Sequence, residues 1–270
     1  MSGIFRRLVG YSSGRTDLPK LQRDSVVDDG TVGLFDFGHG WGYLAQVGPV
    51  AAGAQLRNYV RSGGIAVADT VIPWSTGMVK FDAIGQSVTL PAEWKLPPST
   101  KDFAISMTGR IPRSGYPGGG NGQKSVQILG CASGGVIQYS FLVLYDAATG
   151  QLTGLQLGLN NEGPVVPSAI FPDDAVAHHF AMRWRATSAA ASIIEFYIDG
   201  ALRFTAAVGY AGALSQPERP AKLGQYWTYI PDAMRGSIGR VLLQRLDVPG
   251  SKPIGEFIAA DLNAGQGRFF

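Results

Sequence analysis

Ile193-Ile194-Glu195-Phe196-Tyr197-Ile198-Asp199-Gly200-Ala201-Leu202-Arg203-Phe204 alternates apolar and polar side chains on either side of an Asp-Gly pair. Successive side chains of a β-strand point to opposite faces, so Ile194, Phe196 and Ile198 share one face while Glu195 and Tyr197 share the other. Asp-Gly supplies the positive φ that a tight hairpin turn requires. The alternation continues outward. Before the hairpin, Phe180, Met182 and Trp184 alternate with Arg183 and Arg185; after the turn, Leu202, Phe204 and Ala206 alternate with Arg203 and Thr205. Three consecutive strands thus each carry a core face and a face with charge. Arg and Glu opposed on that outer face are placed to pair across strands, for a few tenths to about 1 kcal/mol each.

Further runs of strand length, rich in β-branched and aromatic residues, lie at Ser87 to Leu90, Phe103 to Ile111, Ser125 to Leu129, Tyr139 to Tyr145, Gly154 to Leu159, His179 to Ala186 and Ser237 to Gln244. Gly, Pro, Asp or Asn clusters bound each one. Only Ile258 to Ala264 reads as a helical turn. Nine or so short strands with almost no 3.6-residue period predict an all-β, antiparallel sandwich rather than alternating β and α units. Composition agrees: of 270 residues, 45% are apolar and 16% charged, with 37 Gly and 16 Pro. Such a chain folds and is rich in turns.

The balance of 23 basic and 20 acidic residues gives +3 with the basic residues scattered, so nucleic acid is not the implied partner. The nearest basic cluster is Arg6, Arg7, Arg15, Lys20 and Arg23. A single cysteine, Cys131, forbids an intrachain disulfide and a Cys-rich zinc site. Arg6 and Arg7 interrupt the first apolar stretch before an export signal could form, and no window offers eighteen uncharged apolar residues for a membrane span. The expected place of synthesis is a bacterial cytoplasm, with exit by lysis or within a particle.

Residues 1 to about 30 show no strand or helix period and read as an extended arm punctuated by Pro19, Asp24, Asp28, Asp29 and Gly30. From Thr31 to Gly77 come short apolar runs cut by glycines, with Trp41 and Trp74 among them, expected to pack on something else. The expected organisation is an irregular arm and docking segment over 1–77, a sandwich over 78–258 and a tail over 259–270.

His178-His179-Phe180-Ala181-Met182-Arg183-Trp184 followed by Glu195-Phe196-Tyr197-Ile198-Asp199-Gly200 resembles the paired-strand signature of laminin-G-like domains in the concanavalin A-like lectin/glucanase superfamily. Gln86-Ser87-Val88-Thr89-Leu90-Pro91 and Asp102-Phe103-Ala104-Ile105-Ser106-Met107 are similar to the family's opening strands, and Gly236-Ser237-Ile238-Gly239-Arg240-Val241-Leu242-Leu243 to its closing strand. The resemblance covers roughly residues 78 to 258. It implies a jelly roll of two curved sheets, the concave one often used for sugars or protein partners. Phe35-Asp36-Phe37 ahead of such a domain, the missing export signal and the glycine-rich style are similar to proteins of tailed-bacteriophage virions and prophages.

The superfamily's glucanases carry a Glu-x-Asp-x-(x)-Glu strand, and nothing here matches it. Glu195 and Asp199 lie on one strand, but Asp199 belongs to the turn, whereas catalysis needs two carboxylates facing one cleft. Gly10-Tyr11-Ser12-Ser13-Gly14 has the spacing of a nucleophile elbow without the strand and helix that make one work. His178 and His179 are adjacent and so point apart on a strand, which prevents shared ligation of one metal. His39 sits among glycines with no carboxylate nearby in sequence. Pro117 to Ser125 has glycines and Lys124 but no Gly-Lys pair and no following helix, so it reads as a hairpin tip rather than a phosphate loop. No cofactor is called for; some relatives of the fold bind calcium, and Asp146, Asn160, Asn161, Glu162, Asp173 and Asp174 are available oxygens of no specified loop spacing.

For ligand binding the most suggestive stretch is Gln225-Tyr226-Trp227-Thr228-Tyr229-Ile230-Pro231-Asp232. Tyr226, Trp227 and Tyr229 are suited to stack on sugar rings, with Gln225 and Asp232 hydrogen-bonding. The same aromatics suit the end of the sandwich or a subunit interface, and both readings stay open. The expected function is that of a non-enzymatic virion protein of a tail, baseplate or fibre, homo-oligomeric and docked to other virion proteins through its N-terminal arm. Its jelly roll would face outward to host-surface glycan or further assembly. A decoration protein without ligand, and a polysaccharide-cleaving enzyme of the same fold, are the alternatives.

Overall fold

A computed structural model describes residues 24–38, 48–60, 63–116, 122–133, 135–160, 163–172, 176–209, 212–224 and 234–269. In chain order the strands are β1 (Thr31–Asp36), β2 (Gln55–Leu56), β3 (Ala66–Ala68), β4 (Trp74–Ser75), β5 (Met78–Phe81), β6 (Val88–Thr89), β7 (Asp102–Arg110) and β8 (Gln123–Ser133). They continue with β9 (Val136–Asp146), β10 (Leu152–Leu159), β11 (Val165–Pro167), β12 (His178–Ala186), β13 (Ser192–Ile198), β14 (Ala201–Val208), β15 (Lys222–Leu223) and β16 (Gly236–Arg245). One helix, α1 (Ile254–Gly265), comes last. Sheet I runs β14-β13-β12-β7-β16-β5-β4 with β1 also on β16; sheet II runs β11-β10-β9-β8-β15-β6-β3-β2. Every strand pairing is antiparallel, as the alternation predicts.

The hairpin that decides the fold forms where expected. Asp199 and Gly200 take φ of 50° and 81°, both positive, which is the geometry that twists a two-residue turn in step with its strands. Phe180, Met182, Trp184, Ile194 and Phe196 are buried, and Arg183 stands opposite Glu195 in register. Facing them from sheet II are Tyr139, Phe141, Val143 and Leu157, all buried in the same core. Trp94 joins this layer, and Tyr139 Oη donates to its carbonyl at 2.6 Å.

The expected arm needs correction over its described part, because residues 31–77 complete the sandwich. β1 pairs with β16 over Thr31 to Asp36, β2 and β3 extend sheet II, and β4 extends sheet I. Gly239 divides the edge of β16: residues 236–238 hold β5, and Arg240 to Gln244 hold β1. Gly33 is required where it stands, since a Cβ there would lie 2.3 Å from the Trp94 ring nitrogen. Trp74 donates from its indole N–H to the Phe37 carbonyl at 3.0 Å. Residues 1–23, with the basic cluster and the Ser12 motif, lie outside the described residues, as does Trp41.

The tail also differs from expectation. A full helix begins after Pro253, four residues before the expected turn, and lays Phe257 and Ile258 on the outer face of sheet I. There they meet Val26, Val27, Leu34, Ala104, Ala181 and Leu242 in a second apolar layer. No described helix is long and apolar enough to cross a membrane.

Candidate functional site: a cationic cleft on the outer face of sheet I

Two adjacent rows of side chains cross the outer face of sheet I. In the first, His179 of β12, Thr108 of β7 and Arg240 of β16 are register partners. α1 and the residues around β1 close over it. Arg240, fully buried, donates from Nε to Asp261 at 2.6 Å and from Nη1 to Asp36 at 2.8 Å and Asp24 at 2.9 Å. Asp261 also accepts from the Ser106 hydroxyl and from His179 Nε2, the latter at 3.1 Å. Arg268 donates to Asp36 at 2.8 Å. Burial alone would raise the Asp261 carboxyl, but the Arg240 charge, with hydrogen bonds from His179 and Ser106, holds it well below the usual carboxylate range. Burial likewise opposes the charge on Arg240, and Asp261, Asp24 and Asp36 overturn that and raise its pKa.

The second row lies two residues further along β7, about 7 Å by strand rise. It consists of Arg110, Ser237 and Lys80, register partners on β7, β16 and β5. Together with Ser75, Thr76, Pro112, Arg235 and Gly236 they line an open cleft of about 260 Å³. Lys80 meets Asp82 at 3.2 Å. Among the described residues no carboxylate approaches Arg110 or Arg235, and Arg110 Nε is enclosed without a hydrogen-bond partner. A buried donor left unmade costs about 1–3 kcal/mol. Thr76 and Gly77, at φ of 51° and 81°, form the two-residue turn between β4 and β5, as Asp199 and Gly200 do between β13 and β14. Arg235 holds a φ of 57°, a region non-glycine residues rarely adopt.

All five residues expected to bind ligand, Gln225, Tyr226, Trp227, Tyr229 and Asp232, lie outside the described residues. The two ends of their segment are described, and both abut Phe81 of β5. A Cβ on Gly224 would come within 2.4 Å of the Phe81 ring, and Gly236 is its register partner across β16 and β5. The Gly236 root lines the cleft beside Ser237 and Lys80, whereas the Gly224 root meets Phe81 from the core side of β5. Sequence reasoning missed Lys80, Arg110 and Arg235, which come from three separate stretches; the one signal available was Arg235, three residues after Asp232.

The other candidates are used within the fold. Glu195 accepts from Arg183 at 3.3 Å and from Tyr197 Oη at 3.0 Å, which with burial pushes the Tyr197 hydroxyl up to about 12. Asp199 holds His178 Nδ1 at 2.7 Å and the His179 N–H at 2.9 Å, while the two rings diverge as expected. Asp146 caps its own turn, accepting from the N–H groups of Ala148 and Thr149. Asn160 accepts from the Ser215 N–H at 2.7 Å. Asn161, Glu162, Asp173, Asp174 and His39 lie outside the described residues, among which no cluster of three or more His, Cys, Asp or Glu is arranged for a metal. The glycine tip over 117–121 is likewise outside, and the chain re-emerges from it into strand β8, not a helix.

No protein-family model matches the sequence, and no curated protein matches it. Solved structures do. Trypanosoma rangeli sialidase in complex with sialic acid superposes with a TM-score of 0.54 at 14% identity, covering 86% of this chain and 32% of the sialidase. The same enzyme with a difluoro-KDN ligand gives 0.56, again at 14% identity and over the same shares. The botulinum neurotoxin serotype D ligand-binding domain in complex with N-acetylneuraminic acid gives 0.52 at 9% identity, covering 81% of this chain and 50% of that one. The fold is a jelly-roll β-sandwich. The chain spans about a third of the sialidases' length, and identities this low carry the fold and nothing more.

Proposed function

We propose that the chain is a non-enzymatic glycan-binding module whose site is the cleft at the C-terminal end of the Gln225 to Asp232 segment. The observation that carries this reading is an open, hydroxyl- and cation-lined cleft whose Arg235 and Gly236 follow closely in sequence on the stretch holding Tyr226, Trp227 and Tyr229. Aromatic faces for sugar rings next to hydrogen-bonding groups are what sugar recognition needs. Support also comes from two proteins that contain this fold over part of their length and were solved in complex with sialic acid or N-acetylneuraminic acid. Binding without cleavage is favoured because the described lining of the cleft includes neither a carboxylate nor a tyrosine. The superfamily's hydrolytic pair would have to stand there, about 5 Å apart for retention. Glu195 and Asp199, the one sequence candidate, are engaged by Arg183, Tyr197, His178 and the backbone.

The finer part of the proposal is that this module is a homo-oligomeric component of a tailed-phage virion. With residues 31–77 built into the sandwich, docking to other virion proteins falls to residues 1–23. Glycan microarray binding with the full chain, followed by a reducing-end assay on each bound polysaccharide, tests the first part. Retention on glycan without new reducing ends is expected; cleavage lost in Glu195→Gln would replace the proposal with the enzyme. Deletion of residues 2–23 should leave a folded domain that no longer enters particles, and normal incorporation would remove the docking role from this segment.

A further inference from the structure

We infer that the cleft selects an acidic sugar unit, with its oxyanion held by Arg110 and Arg235 and its ring hydroxyls met by Ser75, Thr76 and Ser237. This rests on the glycan-binding reading and adds the chemical class of the ligand. The charge around the cleft is unbalanced. Lys80, Arg110 and Arg235 line it, and Asp82 offsets Lys80 alone. Elsewhere on the same face three guanidinium groups are matched: Arg183 makes a two-pronged contact with Asp102 at 2.6 and 2.9 Å, Arg240 is surrounded by three carboxylates, and Arg245 meets Asp247 at 2.9 Å. Among the described residues Arg110 and Arg235 meet no carboxylate, and one cleft brings the two together where an anion from outside can reach them.

The enclosed Nε of Arg110, without partner, is the donor such an anion would satisfy. A planar oxyanion accepts two parallel bonds from one guanidinium, which fixes orientation as well as charge. The hydroxyls have few obligations: Ser237 Oγ contacts only the Met78 sulfur, at 3.5 Å, among the described residues. The volume of about 260 Å³ is below that of typical drug-sized sites, roughly 300–1,000 Å³, so the cleft takes one unit of a glycan rather than a run of units. The anion can be a sugar carboxylate or a sulfate or phosphate ester, which share this recognition chemistry.

The test uses the full chain labelled with nitrogen-15, reading the Arg110 Nε–H resonance, which is assigned by its loss in Arg110→Gln. Sodium glucuronate, N-acetylneuraminate, galactose 6-sulfate and glucose 6-phosphate are titrated separately, with methyl glucoside as the neutral control and inorganic phosphate as the bare anion. A saturable shift with at least one acid, absent with methyl glucoside, is expected. Carboxylate against ester sugars then tells the two sources apart. Affinity, measured by titration calorimetry, should weaken about tenfold or more in Arg110→Gln and in the exposed Arg235→Gln, the second serving if the first fails to fold. No shift with any acidic sugar, or an equal shift with methyl glucoside, would overturn the inference. Binding of neutral glycans on the array, unchanged in both variants, would overturn it while leaving the glycan reading intact. Inorganic phosphate binding as tightly as every acidic sugar would instead remove the sugar and with it the glycan reading.

Discussion

Two rows of charge lie side by side on the outer face of one sheet, separated by two residues along β7, and have opposite fates. In the His179, Thr108, Arg240 row the guanidinium meets Asp24, Asp36 and Asp261 beneath α1. In the Arg110, Ser237, Lys80 row no cover is laid down among the described residues, and neither Arg110 nor Arg235 beside it meets a carboxylate there. The covered row ties three distant stretches of chain together: the segment before β1, strand β16 and α1. Charge that is enclosed and matched is structural; charge that is open and unmatched is available to a ligand.

The largest effect should come from breaking the covered row. Arg240→Ala leaves Asp261 buried without its guanidinium and Asp36 with Arg268 alone, and loss of one partner of a buried ionic cluster costs about 3–5 kcal/mol. Urea unfolding at neutral pH reads this directly. A loss below about 1 kcal/mol would mean that the cluster contributes little and that the contrast between the rows is not one of structural role.

The second test is pH. The Asp261 carboxyl is held below its ordinary value in the folded chain, so its contribution is complete above the unfolded pKa near 4 and is lost as pH falls toward the folded value. Asp28 acts in the same direction: burial opposes its charge, but Gln244 and the N–H groups of Lys252 and Gly30 lower its pKa. Stability should therefore decline below about pH 4 with a slope of up to about 1.4 kcal/mol per pH unit for each proton taken up. Asp261→Asn starts less stable and should show the shallower slope. An unchanged slope would place the acid sensitivity elsewhere.

How much of this was legible in sequence depends on how far apart the contributing residues lie. The β12 to β14 strands were readable because alternation and an Asp-Gly turn are local, and Arg183 meets Glu195 only twelve positions away. β1 was not, because its pairing spans more than two hundred residues: the Thr31 hydroxyl donates to Gln244 Oε1 at 2.8 Å. Strands of two residues such as β2 and β4 carry no period to detect, so the segment before β5 read as an arm. The covered row was illegible for the same reason, since Asp24, Arg240 and Asp261 belong to three separate segments. At the cleft, Arg110 fell near the end of the expected strand Phe103 to Ile111, and Lys80 fell outside every expected strand. Only the fold reveals that they are register partners of Ser237 and that both roots of the aromatic segment meet β5.

Removing charge from the open row should have the opposite sign to removing it from the covered row. Arg110→Gln takes away an enclosed, unpartnered Nε without orphaning any carboxylate. Stability is expected to stay unchanged or to rise by up to about 1 kcal/mol. A loss of 2 kcal/mol or more by the same urea measurement would show that Arg110 is held by the fold and is not free for a ligand.

The smallest effect is expected at the edge of the same face, where cover is again absent. Strict alternation puts Leu202 on the core side with Phe204, and a lysine there would be ruinous. In the structure Phe196 faces Phe204 but Tyr197 faces Leu202, so β14 carries one extra residue and the strand bulges. The bulge turns Leu202 to the outer face, where it is 52% exposed. α1 reaches as far as the turn, with Leu262 3.2 Å from where a Cβ of Gly200 would be, and leaves β14 uncovered. Leu202→Lys should therefore change stability by no more than about 0.5 kcal/mol. It should also reduce any tendency of this open edge to pair with another strand, because lysine on an edge strand opposes such pairing. A loss of several kcal/mol, the size expected for a polar side chain forced into the core, would mean that β14 keeps strict alternation and that the outer face ends one strand earlier than the register places it.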